Sequence, residues 1–147
     1  MLGDTSREVL EFIASLDSGA PALLVPPASG FASEDRCISI YLLEIKLPTS
    51  PVTRALKGLS ISMRYLVTTF AEEEAVAHDF LEEILKAVWL NKDYQLELVP
   101  PPESLWLALD VPPRPCIIIE AYREISFAED EIQVVTKDLI LEQNLKV

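Results

Sequence analysis

Between Cys37 and Leu90 the hydrophobic repeat changes from two residues to nearly four, and few folds accommodate that change. Across Leu59–Phe70, Ile61, Met63, Tyr65 and Val67 share one face, while Ser60, Ser62, Arg64 and Thr68 share the other. Such alternation marks a strand with two unlike faces. Further on, Val76, Phe80, Ile84 and Val88 recur every four residues, with Ala77, Leu81 and Leu85 beside them. That is the stripe of an amphipathic helix. Upstream, Cys37–Leu47 is apolar on both faces, as a central strand covered twice would be. Two strands and a one-sided helix must hide their apolar faces against one another. The expected fold is α+β, with a mixed, mostly antiparallel sheet on which one long amphipathic helix and a short N-terminal helix pack. At about 12 residues, the 59–70 strand is long and is expected to extend past its own sheet.

The rest of the chain fits around this unit. Thr5 and Glu8 have the spacing of a capping box, so a helix is expected to open there and carry Val9, Leu10, Phe12, Ile13 and Leu16. Gly19 suits a left-handed cap at its end. Leu23–Val25 reads as a short edge strand that Pro26 and Pro27 stop, followed by an exposed loop to Arg36. Pro48–Gly58 reads as a connection with a short helical turn around Thr53–Lys57. The long helix is expected to begin near Ala71, with Glu72, Glu73 and Glu74 in the first turn, where the macrodipole favours anions. Tyr94–Val99 reads as an edge strand, closed by Pro100, Pro101 and Pro102, which offer no N–H. Ser104–Leu109 reads as a short helix, Pro112–Pro115 as a stiff extended lead, and Cys116–Arg123 as a β-branched strand. Residues 1–147 are read as a single domain, with 124–147 as an extension or arm. Within it, Ile132–Thr136 is expected to form a last strand, and Asp138–Gln143 an arm.

Charge narrows the functions. The 147 residues carry 24 acidic and 12 basic side chains, a net charge of −12, and the arginines are scattered singly. Nucleic-acid binding needs clustered Lys and Arg, so it is not expected. The acidity serves solubility, or more specifically an acidic surface that meets a basic partner. No apolar run approaches the roughly 20 residues of a membrane span. The first residues lack a basic stretch followed by an apolar block, so a cytoplasmic location is expected.

Chemistry-bearing residues are sparse. His78 is the single histidine, and its neighbour Asp79 points about 100° away on a helix, so the two do not make a dyad. Cys37 and Cys116 both open apolar strands and are expected to be half-buried structural thiols rather than metal ligands. The pairs Glu72/Glu73 and Glu82/Glu83 lie on a polar helix face. Trp89 and Trp106 adjoin apolar helix positions, and core packing is expected of both. No nucleophile elbow, phosphate loop or dinucleotide fingerprint is present. The expectation is a protein without catalysis, cofactor or metal.

Three segments carry a resemblance: ISIYLLEI, LSISMRYLVTTFAEEEAVAHDFLEEIL and SLWLALDVPPRPCIIIEAY. Together they resemble the N-terminal domain of the cap, or tube-terminator, proteins of phage-tail-like contractile injection systems. Tyr65-Leu66-Val67-Thr68 fits that family's second strand, and Leu105-Trp106 with Pro113-Arg114-Pro115 fits its later segment. Asp110 stands where the family commonly has glycine. The resemblance spans roughly Cys37 to Arg123. It implies a homo-oligomeric ring, a hexamer, at the sheath-distal end of an inner tube. Such a cap ends tube growth and anchors the last sheath layer, with tube and sheath proteins as partners, in a particle assembled in the cytoplasm. Arg64, Arg114 and Arg123 are the candidates for pairing with acidic residues between subunits. Glu72, Glu73, Ile132, Val134 and Leu139 are further interface candidates. The alternative class is a small acidic adaptor or chaperone-like domain that docks through the 72–90 helix.

Overall fold

The alternating segment becomes the middle strand of a five-stranded sheet. The computed structural model describes residues 2–16, 19–28, 36–47, 58–97 and 99–126. In chain order the elements are α1 (Leu2–Ala14), β1 (Ala22–Leu23), β2 (Cys37–Lys46), β3 (Gly58–Phe70), α2 (Glu74–Leu90), β4 (Tyr94–Leu96), α3 (Glu103–Leu109) and β5 (Cys116–Ser126). The strand order is β1-β2-β3-β5-β4. Only β1 runs parallel to its neighbour; β2, β3, β5 and β4 are antiparallel in turn. The α+β architecture is thus the expected one.

β3 sorts its side chains as the alternation requires. Ile61, Met63, Tyr65 and Val67 enter a core built with Val9 and Ile13 of α1, Ile84 and Val88 of α2, and Ile119 and Ala121 of β5. On the opposite face, Leu66 and Ile118 pack with Trp106 of α3 and Val111. Two helices therefore cover one face of the sheet, and the short α3 covers one end of the other. Ile13 and Ile84 are fully enclosed, so truncating either to alanine costs about 2–5 kcal/mol.

Pairing between β2 and β3 ends at Lys46↔Ser62, with a bulge between Leu42 and Glu44. β3 and β5 continue together from Ile61↔Arg123 to Gly58↔Ser126. β3 thus runs on beyond Lys46 of β2, but it does not leave its own sheet as expected: among the described residues its first part stays paired with β5 as a two-stranded ribbon. β2 is covered as expected only over its first half, where Cys37–Ile40 are buried; Glu44, Ile45 and Lys46 are exposed.

Several boundaries differ from the sequence reading. α1 starts at Leu2, not at a Thr5 cap. Thr5 is buried inside the helix, Asp4 supplies the first-turn anion, and Glu8 pairs with Arg123 instead of closing a capping box. α1 also ends earlier, at Ala14, where the Ser15 hydroxyl donates to the Phe12 carbonyl at 2.6 Å. Gly19 does take a left-handed φ of 78°, but beyond the helix end. α2 begins at Glu74 behind an extended Glu73, so Glu72 and Glu73 precede the helix rather than occupy its first turn. Asn91 ends it, its side-chain oxygen accepting the Asp93 N–H at 2.8 Å. α3 ends at Asp110 with φ 56° and ψ 42°. That is a left-handed conformation, suited to the glycine common there in the family that the sequence resembles, and one that Asp tolerates better than most residues. The readings of a helical turn at 53–57, a strand at 132–136 and an arm at 138–143 fall outside the described residues.

Candidate assembly surfaces

Four arginines tie the elements together through carboxylates. On the face of the sheet away from α1 and α2, Glu44, Arg64 and Glu120 stand side by side across β2, β3 and β5. Arg64 donates to Glu44 at 2.7 Å and makes a closer pair with Glu97, just past β4. Burial opposes the Arg64 charge, but the hydrogen bonds it donates to Glu97 and Glu44 outweigh that and raise its pKa. Beside this row, the Ser62 hydroxyl donates to Glu120 at 2.6 Å, and Lys46 lies 3.9 Å from the same carboxylate. The sheet surface below α3 is thus an ordered ionic lattice.

Arg114 comes from the proline-rich lead into β5 and reaches the start of α2. It donates to Glu74 at 2.8 Å and to the Thr69 carbonyl at 3.0 Å, and it stacks 4.6 Å above the Phe70 ring. Arg123 pairs with Glu8 and holds α1 to β5. Arg36 pairs with Glu72 at 2.6 Å over the Phe80 ring. The hydrogen bond from Arg36 lowers the Glu72 pKa, and Glu72 raises that of Arg36. Arg64, Arg114, Arg123 and Glu72 are therefore each engaged within one chain. Glu73 is the residue that precedes α2 and makes no side-chain cap. Ile132, Val134 and Leu139 lie outside the described residues. Arg36, Glu44, Glu97 and Glu120 were missed in the sequence because their pairings cross 20 or more positions and leave no local pattern.

The two tryptophans part company. Trp106 is 5% exposed and fills the space under α3, as expected. Trp89 is 76% exposed, which corrects the reading that placed it in the core. The buried stripe of α2 runs through Ala77, Phe80, Ile84 and Val88. Trp89 lies one position on, about 100° around the helix from Val88. Leu85 and Leu90 are exposed beside it. A hollow of about 450 Å³ opens between Leu85, Leu96, Val99 and Trp106, with Glu97, Arg114 and Cys116 on its wall.

The remaining chemical groups sit apart. His78 is half-exposed on α2, 3.6 Å from Glu74 one turn earlier. Cys37 and Cys116 stand on the strands either side of β3, opposite Phe70 and Thr68. Two strand spacings, about 9–10 Å, separate them, which is too far for a disulfide. Burial pushes the Cys116 thiol pKa up. Among the described residues, no three His, Cys, Asp or Glu side chains are grouped as metal ligands, and no helix is long and apolar enough to cross a membrane.

No protein-family model matches the sequence, and no curated protein matches it either. Solved structures do. The sheath/tube terminator of the PVC extracellular contractile injection system, in its extended state, superposes with a TM-score of 0.70 over 88% of this chain. The chain shares the fold of the matched part of that terminator. The anti-feeding prophage cap, described as a tube-terminating cap, gives a TM-score of 0.66, again over 88% of the chain. Sequence identities are 16% and 17%. The matched region spans 57% of the first terminator and 56% of the second, little more than half of either. The fold expected from the three resembling segments is therefore present, and it extends beyond Cys37–Arg123 to most of the chain.

Proposed function

We propose that this chain is a structural subunit of the cap of a phage-tail-like contractile injection system. Copies join in a closed hexameric ring at the end of an inner tube. The ring stops tube growth and gives the last sheath layer its anchor. The observation that carries this reading is the likeness of fold, at TM-scores of 0.70 and 0.66, to two proteins described as tube terminators. The chain's own architecture supports it. Arg64, Arg114, Arg123 and Arg36 link strands and helices through carboxylates of other elements, which is compatible with a subunit that works by contact. The chain acts by contact with copies of itself, tube protein and sheath protein, without catalysis, and the particle is assembled in the cytoplasm.

The test is assembly with tube protein. Purified chain mixed with growing inner tubes is expected to form rings seen on tube ends by negative-stain imaging and to shorten the tube-length distribution as its concentration rises. A chain that stays monomeric by light scattering and leaves tube length unchanged refutes the reading.

A further inference from the structure

We infer that the solvent face of α2 is a docking surface for a segment of another protein that is basic at one end and apolar at the other. This goes beyond the terminator reading and does not depend on it. The outward face of α2 changes character along its length. Its middle presents Asp79, Glu82 and Glu83, all exposed. Its last two turns present Leu85, Trp89 and Leu90, exposed by 41%, 76% and 82%. From Asp79 to Leu90 the two zones cover about 16 Å along one side of the helix.

Among the described residues the apolar zone stays exposed, while α2 buries Ala77, Phe80, Ile84 and Val88 on its other side. Trp89 stands as a ridge between two hollows. One, of about 380 Å³, lies against Leu85 and Leu96; the other, of about 280 Å³, lies against Val88 and Tyr94. Lys86 edges the first hollow and Gln95 the second, so the indole ridge offers apolar contact with polar groups at its margins, a shape that anchors a partner's aliphatic side chains.

Charge selects the partner. Lys86 sits on Glu82 at 3.1 Å, and no cation lies within ion-pair distance of Asp79 or Glu83 among the described residues. Lys86 also feels the charge of Glu83, so one cation is shared among three exposed carboxylates and the zone keeps a negative excess that a cationic partner complements. A second copy of the same face does not supply that charge. Two α2 helices paired in parallel would oppose acid to acid, and paired antiparallel would oppose carboxylates to Trp89. The occupant that satisfies both zones carries Lys or Arg opposite 79–83 and Leu, Ile or Phe opposite 85–90.

The test uses a fluorescein-labelled peptide about three helical turns long, Lys-rich in one half and Leu/Phe-rich in the other, with the full chain and anisotropy as readout. Two controls keep the apolar half and replace Lys by Glu or by Ser. The Lys peptide is expected to bind, to weaken as salt rises, and to lose about tenfold or more in affinity with Trp89→Ser and separately with Glu82→Gln/Glu83→Gln. Both variants change exposed side chains only, and circular dichroism checks that they stay folded. Equal binding of Lys and Glu peptides overturns the inference, as does binding that Trp89→Ser leaves unchanged. Absence of binding overturns it too, and so does a Trp89→Ser effect confined to self-association of the chain.

Discussion

Arg64→Met removes the guanidinium at the centre of the ionic row and leaves Glu97 as a carboxylate with no cation. Arg64 and Glu97 side chains are each 16% exposed, so the pair is close to buried. Removing one partner of a buried pair costs about 3–5 kcal/mol. The remaining exposure lets water reach Glu97 and lowers that figure, while the half-exposed contact to Glu44 adds at most about 1 kcal/mol. The expected loss is about 2–3 kcal/mol, or a fall in Tm of roughly 5–10 °C for a chain of this size. Glu97→Gln alone leaves Arg64 its contact to Glu44 and costs about 1–2 kcal/mol. The double variant buries neither charge alone and is expected within about 1 kcal/mol of the parent. Urea unfolding followed by circular dichroism, with the slope m unchanged, gives the four values of the cycle. A double variant that simply sums the two single losses refutes the claim that Arg64 acts within the chain through Glu97.

Asp110→Gly removes the left-handed strain at the end of α3, which for Asp lies below the about 1–2 kcal/mol of most residues, and returns about 0.4–1 kcal/mol to the unfolded chain. It is therefore neutral to mildly stabilising in thermal melts, whereas Asp110→Val destabilises. At alkaline pH the chain weakens. Burial raises the Tyr65 and Cys116 pKa values, so their contribution is complete below the unfolded values and disappears as pH rises through the folded ones. Melts at successive pH values above about 8.5 are expected to show a progressive fall in Tm, reduced in Cys116→Ala. At the acid end the sign reverses for Glu72, whose pKa Arg36 lowers. Its contribution is complete above the unfolded value near 4.3 and is lost as pH falls through the folded one; Arg36→Gln reduces that dependence, and the backbone hydrogen bond to Glu72 keeps the rest.

The core was legible because period is a local property. Ile61, Met63, Tyr65 and Val67 declare one face of β3, and Phe80, Ile84 and Val88 one face of α2, before any partner is known. The left-handed stop of α3 showed as a departure from a glycine pattern, though its geometry needed the structure. What stayed hidden depends on chain segments meeting at a distance. Glu8 carried the mark of a capping box, yet its partner is Arg123 on the last strand. Glu97 looked like the polar side of an edge strand, yet it neutralises Arg64. Trp89 was misread because a neighbour in sequence on a helix is not a neighbour in direction: Val88 is 1% exposed and Trp89 is 76%.

Among the described residues, Gly58–Ile61 and Arg123–Ser126 form a ribbon in which β3 pairs with β5 alone. Amides from Met63 to Val67 are flanked by β2 and β5, and they exchange with solvent only when the whole sheet opens. Those of the ribbon have one neighbouring strand among the described residues, and an isolated two-stranded pair is marginal by itself. Their protection is expected to report a local opening instead. Any partner that seats on the ribbon must slow deuterium uptake there while leaving the middle of β3 untouched. That makes a few backbone amides a built-in, label-free gauge of whether this end of the sheet has found its neighbour.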